Sequence, residues 1–276
     1  MVTPRYAVNC SIMMKDRPPE RRLAAVREAG FEAVEFWWPF AVSTPPEHEV
    51  EGFVDTVRAS GLQLVGLNLY AGDMPGGDRG VVSWPDRADE LRAHTAVVRR
   101  IAEALGCRSF NALYGNRRAD VPDTEQDAAA VRALGSIAGE LAKIGGTVLV
   151  EPVSGAPDYP LLTADDAVAV IDRVGDRTGA DNLRLLFDVY HLAVNGDDVP
   201  AALARHRDRV GHVQLADAPG RGAPGTGALP LRDWVLDLAA GGYGGWTALE
   251  HAGEGPDTLA WARSCDLPGL PGGPTV

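Results

Sequence analysis

The sequence contains little cysteine and no long hydrophobic run. Its three cysteines, Cys10, Cys107 and Cys265, lie far apart and form no C-x-x-C pair. This spacing argues against a disulfide framework or a cysteine zinc site, and it favours a reducing compartment. No stretch approaches the roughly 18 consecutive apolar residues that a membrane span requires, and the apolar part of the N-terminus is too short for a signal peptide. We therefore expect a cytoplasmic protein with no membrane partner.

Positive charge is also scarce. The 276 residues include 38 acidic and 26 basic side chains, and the formal net charge is −12. Such a field repels polyanions, so we expect no nucleic-acid partner. The length suits a single large α/β domain, and a core of that size needs no disulfides.

Short apolar segments alternate along the chain with longer amphipathic, alanine- and leucine-rich segments, a pattern that indicates parallel βαβ units. The predicted strands are residues 6–11, 32–38, 62–68, 108–114, 147–151, 183–188, 211–217 and 246–251. The predicted helices are roughly residues 18–29, 46–60, 86–105, 121–143, 163–177, 197–206 and 230–240, with a last one near 256–264. Thr163, followed by Asp165 and Asp166, is typical of a helix N-cap with acids in the first turn.

The glycine-rich phosphate-binding motifs are missing as well. A doubly wound sheet usually has a G-x-G-x-x-G turn after its first strand, whereas CSIMMKDR there contains no glycine. The stretch APGRGAPGTG after the seventh strand has no P-loop pattern. We therefore predict an α/β fold, a single-domain (β/α)8 TIM barrel over residues 1–264, with a loose Gly/Pro-rich tail over 265–276. The long loop 70–84 is expected to be a lid or to contact substrate.

Oxygen-donating side chains stand at the ends of four consecutive predicted strands: Glu151, Asp188, Gln214 and Glu250. In such a barrel these ends surround the active site. Alone, each residue is more typical of a helix cap or of a polar pocket lining. Together, however, carboxylates converging in one pocket repel each other unless a cation lies between them. Oxygen donors without thiolates favour a hard divalent ion, Mg²⁺ or Mn²⁺, over zinc.

Other polar residues near these strand ends have both structural and functional interpretations. His191 follows the sixth strand and could reach a substrate oxygen, and Arg221 on the next rim loop suits a carboxylate or hydroxyl group. Glu35 on the second strand either faces the pocket or is buried with a structural partner. We expect His212 in the layer below the site and His251 on the outer side of its strand.

The motifs, taken in order, resemble the hydroxypyruvate isomerase family within the xylose-isomerase-like barrels. In the first half they are RYAVNCS, AAVREAGFEAVEFWWPF and NLYAGDMPGGDRG. In the second half they are LVEP, LLFDVYH, GHVQLADAPGR, PGTG and GYGGWTALEH. The resemblance covers about residues 5–263. It implies that Glu151, Asp188, Gln214 and Glu250 bind the metal, that Glu151 and Glu250 are also the acid/base pair, and that His191 and Arg221 contact substrate.

The chain departs from this family in its rim loops. Gly222, Ala223 and Ala228 stand where relatives usually have His or Asn, Glu and Glu, and Ser154 stands where they tend to have Asn. The expected reaction is the interconversion of a small hydroxy-keto acid and its aldehyde, of the hydroxypyruvate type. A homo-oligomer is compatible with the sequence.

Several alternatives use the same site or the same fold. One is a 2-oxo-tetronate isomerase, and another is a ketose 3-epimerase, although epimerases more often have His at the position of Gln214. A metal-dependent DNA-repair nuclease would need more histidines and a basic face. A non-catalytic protein that binds a metabolite stays open because of Ala223 and Ala228.

Overall fold

The strands form one closed parallel barrel. The computed structural model describes residues 2–255 and 258–273. The strands follow one another in sequence order around the barrel, and the first pairs with the last. They are β1 (Arg5–Asn9), β2 (Ala33–Phe36), β3 (Gln63–Asn68), β4 (Ser109–Asn111), β5 (Thr147–Val150), β6 (Leu183–Asp188), β7 (Val210–Leu215) and β8 (Trp246–Leu249). The predicted (β/α)8 fold is confirmed.

Helices cover the outside of the barrel. They are α1 (Pro19–Glu28), α2 (Glu47–Ser60), α3 (Ala88–Leu105), α4 (Asp123–Ala142), α5 (Ala164–Thr178), α6 (Val189–Asn195), α7 (Val199–His206) and α8 (Leu231–Ala240). Thr163 caps α5 as predicted: its hydroxyl accepts from the Asp166 backbone N–H, and the Asp166 side chain accepts from the Thr163 N–H. None of the helices in the described ranges is long and apolar enough to cross a membrane.

Two helix predictions need correction. The sequence analysis did not predict α6, which starts directly at Asp188 and ends at Gly196 in the left-handed conformation. The last helix, predicted near 256–264, is wrong for the part that the structure describes. That part contains only a short 3₁₀ helix, Ala260–Arg263, and residues 256 and 257 lie outside the described residues.

The interior of the barrel has an apolar floor and a polar layer above it. Ala7, Ala33, Val65 and Ala248 form the floor. These small side chains leave room for Glu35, which is 4 % exposed at the centre of the barrel. On β3 the residue after Val65 is Gly66, which pairs with Glu35 beyond a shift in register and where a Cβ atom would lie 3.0 Å from Glu35 Oε2. The sequence thus reserves space for a buried carboxylate inside the barrel.

The C-terminal segment packs against the barrel as far as it is described. Leu267 and Leu270 are buried in the main hydrophobic core, and Cys265 is buried with them. Within the tail predicted to be loose over 265–276, the segment from Cys265 to Leu270 therefore contributes side chains to the core. Residues 274–276 lie outside the described residues.

Candidate active site

The four predicted metal ligands lie at the same end of four neighbouring strands. Glu151 and Glu250 directly follow β5 and β8, Asp188 ends β6, and Gln214 pairs with Asp188 across β6 and β7. All four are at most 4 % exposed. Glu151 and Glu250 line a cavity of about 480 Å³, a size within the usual range for small-molecule sites. The strand ends therefore bring the predicted ligands to one place.

The carboxylates at the ends of β5 and β6 each have one oxygen that accepts hydrogen bonds from the protein and one that accepts none. We call the second kind an open oxygen. Glu151 Oε2 accepts from Asn111 Nδ2 at 2.6 Å. Asp188 Oδ1 accepts the backbone N–H groups of Tyr190 and His191 at 2.8 and 3.2 Å, which caps α6. The second oxygens, Glu151 Oε1 and Asp188 Oδ2, lie 3.9 and 3.7 Å from His191 Nε2. The bound oxygens orient the open ones.

The donors of β7 and β8 follow the same arrangement. Gln214 Nε2 donates to Glu35 Oε1 at 2.8 Å, and only the NH₂ end of an amide can donate to a carboxylate. This leaves Gln214 Oε1 buried with no partner among the described residues. Glu250 Oε1 accepts from Trp37 Nε1 at 3.1 Å and Arg221 Nη2 at 2.7 Å, while Oε2 is likewise buried and unpartnered.

Glu35 is enclosed in the polar layer instead of lining the cavity. Its Oε1 accepts from Asn9 Nδ2 as well as from Gln214 Nε2, and its Oε2 contacts His212 Nε2, each at 2.8 Å. Burial alone would raise the pKa of Glu35, but the hydrogen bonds from His212, Asn9 and Gln214 outweigh burial and lower it. Glu35 is therefore buried with structural partners, which was one of the two interpretations of this residue. Its position does not fit the other interpretation, a contact with substrate. His212 lies below the site, as predicted.

His191 is held in a single neutral form. Burial lowers its pKa to about 4. The Ser154 backbone N–H donates to Nδ1 at 3.0 Å, and the Ser154 hydroxyl lies 2.7 Å from the same atom. Because Nδ1 accepts, the proton of the neutral ring is on Nε2. His191 thus presents an N–H donor toward Glu151 and Asp188.

Burial dominates the electrostatics of the site, and the neighbouring acids add to its effect on the glutamates. Burial, and then the charge of Asp188, raises the pKa of Glu151 to about 8. Burial also raises the pKa of Glu250 well above its usual value, although Arg221 opposes that shift. For Arg221, burial alone would lower the pKa, but the charges of Glu250 and Asp188 raise it. A cation held between these acids would favour their ionised form.

Arg221 belongs to a rigid rim loop. Its backbone is in the left-handed region, φ 55°. Its Nε donates to the Glu250 backbone carbonyl at 3.1 Å, and its Nη2 lies 3.6 Å from Asp188 Oδ2. The buried Asp217 holds this loop, because its carboxylate accepts three backbone N–H groups, from Ala218, Gly225 and Leu229. Arg221 lines the cavity with its guanidinium paired to Glu250 and Asp188, and its contact with substrate stays a prediction.

The donor set fits a hard divalent ion. Glu151, Asp188 and His191 each offer an atom within 4.8 Å of the others, a group that could hold a metal ion. A metal-bound imidazole usually donates its other N–H to an acceptor, whereas His191 Nδ1 faces the Ser154 N–H. The open oxygens of Glu151, Asp188, Gln214 and Glu250 are therefore the better ligand set, and oxygen-only ligands suit Mg²⁺ or Mn²⁺.

Several residues of the site were missed in the sequence analysis. Asn9, Asn111 and Trp37 orient the acids, and Asn68 lines the cavity. Each follows the inward alternation of its strand or stands just after a strand end, which is the signal that could have found them. His251 packs against Trp261, with the ring centroids 5.3 Å apart.

Comparison with known proteins places this barrel in a family. Residues 23–267 match the family model described as "Xylose isomerase-like TIM barrel". A "Putative hydroxypyruvate isomerase" of Streptomyces coelicolor is 44% identical over 94% of both chains. A "2-oxo-tetronate isomerase" of Cupriavidus necator is 32% identical over 90% of this chain and 92% of that protein. The chain therefore belongs to the hydroxypyruvate isomerase family of xylose isomerase-like TIM barrels.

A solved structure shares the whole barrel. It is titled as an AP endonuclease, family 2, from Brucella melitensis, and it superposes with a TM-score of 0.83. The two chains are 28% identical, with 94% of this chain and 97% of that chain covered.

Proposed function

We propose that this chain is an isomerase that needs a divalent metal ion, Mg²⁺ or Mn²⁺, and that interconverts a short hydroxy-keto acid and its aldehyde. The reference pair is hydroxypyruvate and tartronate semialdehyde. The observation that carries this proposal is the set of buried oxygens without a hydrogen bond on Glu151, Asp188, Gln214 and Glu250, two of which, Glu151 and Glu250, line one small cavity. The relatives named hydroxypyruvate isomerase and 2-oxo-tetronate isomerase support it.

A divalent ion bound by these oxygens would act as a Lewis acid on the carbonyl and hydroxyl oxygens of the substrate. Glu151 and Glu250 are proposed as the acid/base pair. One of them takes the proton from the hydroxymethyl carbon, which gives an enediolate, and a proton is returned to the neighbouring carbon. The hydroxyl proton passes from the oxygen that becomes the aldehyde to the oxygen that becomes the new hydroxyl group. General acid–base catalysis of this kind contributes about 100- to 10,000-fold to a rate.

His191 is proposed to contact the substrate as a neutral hydrogen-bond donor. Its Nε2–H faces the cavity between Glu151 and Asp188. A fixed donor at that point can stabilise negative charge that develops on a substrate oxygen. Ser154 determines this role, because its N–H occupies Nδ1 and leaves the proton on Nε2.

The test follows hydroxypyruvate by proton NMR in D₂O with Mg²⁺ or Mn²⁺ present. Conversion with deuterium incorporation at the reacting carbon is expected. Glu151→Gln and Glu250→Gln should each lose at least about 100-fold in turnover, whereas Glu254→Gln, an exposed neighbour, should retain it. If either site variant keeps its rate within about tenfold, which is only about 1.4 kcal/mol of barrier, its acid/base role is rejected.

Longer acids and neutral ketoses test the same site for a different substrate. The relative named 2-oxo-tetronate isomerase makes a four-carbon acid the first competing substrate to test. A panel of three- to six-carbon keto acids and ketoses, compared by kcat/KM, ranks them. Epimerisation at carbon 3 of a ketose, without aldose formation, would favour the epimerase alternative.

A further inference from the structure

The mouth of the cavity carries positive charge that the proposed chemistry does not use. Besides its two glutamates, the charged residues that line it are Lys15, Arg79 and Arg221. This set stands out in a chain whose formal net charge is −12. The cations come from loops that follow different strands, β1, β3 and β7, and they converge on one cavity.

The charge of Arg221 is neutralised within the protein. Its guanidinium is 2.7 Å from Glu250 Oε1 and 3.6 Å from Asp188 Oδ2. A substrate carboxylate that approached Arg221 would compete with both acids. The residue predicted from the sequence to bind a substrate acid is thus the one least available to do so.

The other two cations have only neutral partners in the part of the chain that the structure describes. Arg79 Nη1 donates to the backbone carbonyls of Met74 at 3.2 Å and Asp78 at 2.7 Å. Lys15 Nζ lies 5.5 Å from the centroid of the Trp37 ring. These contacts orient the two side chains without neutralising them. Their charge is available to a ligand.

Arg79 is held in position by its loop. The following residue, Gly80, approaches Leu113 so closely that a Cβ atom would lie 2.1 Å from the Leu113 carbonyl oxygen. Gly80 also donates its N–H to Ala71 at 2.9 Å and has a φ of 103°. The guanidinium therefore projects from a fixed backbone, and a positioned charge binds a ligand at lower entropic cost than a mobile one.

We propose that Arg79 and Lys15 form a carboxylate subsite that selects anionic hydroxy-keto acids over neutral ketoses. Arg79 supplies the planar guanidinium that matches a carboxylate, and Lys15 supplies a mobile second charge. This inference rests on the proposed function, because the carboxylate is that of the substrate. Glu151 and Glu250 act on the other end of the molecule. Arg221 orients Glu250 and does not contact the substrate carboxylate.

The kinetic test compares two substrates that differ only at this group. Dihydroxyacetone carries a hydroxymethyl group where hydroxypyruvate has its carboxylate. Arg79→Met should lower kcat/KM for hydroxypyruvate by about 10- to 100-fold, the usual range for loss of a hydrogen bond between charged groups. The loss should fall mainly on KM, because the carboxylate does not react. Activity on dihydroxyacetone should be unchanged, and Arg79→Lys should recover part of the loss.

Lys15→Met should shift the same preference by a smaller factor. Arg92→Met is the matched control, because Arg92 is exposed on α3 and pairs with Asp89. Equal losses on the acid and the neutral substrate, or no loss on either, would overturn the subsite.

A binding test works without turnover, because the chain has only two lysines, Lys15 and Lys143. Reductive methylation with ¹³C-formaldehyde labels both while keeping their charge. Glycerate, which has no carbonyl and cannot isomerise, should shift the Lys15 signal of the Mg²⁺-loaded protein. Glycerol should not, and the exposed Lys143 is the internal control. Arg79→Met should weaken glycerate binding by about tenfold or more.

The two tests separate the subsite from the reaction. If no substrate is isomerised but glycerate binds with this dependence on Arg79 and Lys15, the subsite stands and the proposed function fails. If hydroxypyruvate is isomerised, while Arg79→Met changes neither its KM nor glycerate binding, the subsite is wrong and the isomerase stands.

Discussion

Removing the buried carboxylate of Glu35 tests whether the hydrogen-bond network below the site stabilises the barrel and orients Gln214. Its two oxygens receive hydrogen bonds from Asn9, Gln214 and His212, each at 2.8 Å. Truncation in Glu35→Ala removes the acceptor of all three donors. The change also frees the Gln214 amide to rotate, since its hydrogen bond to the carboxylate determines which end of that amide faces the proposed metal site.

The expected loss of stability is large for a residue outside the hydrophobic core. A buried donor without a partner costs about 1 to 3 kcal/mol, and removing one member of a buried ionic group costs about 3 to 5 kcal/mol in total. Three donors without a partner could together cost more than this, but the variant also no longer buries the charge of Glu35. We therefore expect the free energy of unfolding to fall by about 3 to 5 kcal/mol. Glu35→Gln should cost less, since its carbonyl can still accept from Asn9 and Gln214, and its amide can donate to His212 Nε2 once the imidazole proton is on Nδ1.

Urea denaturation followed by circular dichroism measures the free energy of unfolding, and titration with Mn²⁺ measures metal affinity. Orienting residues behind metal ligands typically contribute about 10- to 100-fold to affinity. Folded Glu35→Ala protein should therefore bind Mn²⁺ about 10- to 100-fold more weakly than the wild type. Glu35→Gln should retain most of the Mn²⁺ affinity. Glu32→Ala, an exposed glutamate just before β2, is the control.

A Glu35→Ala protein within about 1 kcal/mol of the wild type would refute the network as a stabilising element. Unchanged Mn²⁺ affinity in a folded Glu35→Ala protein would refute the orientation of Gln214. The second result would leave the stability argument intact, so the two claims can fail separately.

Three further changes test the barrel and its rim. Burial lowers the pKa of His94 to about 4, below the roughly 6.5 of an unfolded histidine. Stability should therefore fall by about 1.4 kcal/mol per pH unit as pH drops from 6.5 toward 4, and urea midpoints should show a shallower fall in His94→Gln. Asp217→Ala leaves three backbone N–H groups without their acceptor, so unfolding should be easier by about 2 to 4 kcal/mol, and faster proteolysis of the rim loop should show it. Gly66→Ala places a Cβ atom 3.0 Å from Glu35 Oε2, and calorimetry should find a melting temperature several degrees lower, as about 1 to 3 kcal/mol of overpacking implies.

The repeating pattern of the chain predicts its fold because each βα unit carries its own signals. Apolar strands, amphipathic helices and capping residues such as Thr163 are local features, and the barrel follows once enough parallel units are counted. The exception is α6. The sequence analysis interpreted Asp188 as a metal ligand. An Asp followed eight residues later by Gly196 is, however, also a common pair of helix signals, with the Asp as N-cap and the Gly as C-cap.

The residues that support the site could not be assigned in the same way. Glu35 meets His212 and Gln214, which lie 177 and 179 positions away in the sequence. Whether it faces the cavity or the polar layer depends on the shift of register between β2 and β3 and on the space at Gly66. The register and the space at Gly66 depend on tertiary packing, which no local sequence pattern predicts.

A polar residue of this barrel can have a structural and a functional role at once. One atom of its side chain makes a structural hydrogen bond, and another atom of the same side chain faces the cavity. Asp188 caps α6 with Oδ1 and leaves Oδ2 open. In His191, Nδ1 accepts from Ser154, which determines that Nε2 carries the proton toward the site. Each structural bond restricts the rotation of the side chain, so the remaining atom faces the cavity at no further entropic cost. A sequence identifies the residue, whereas only the three-dimensional partners identify the atom, and the chemistry of the site depends on the atom.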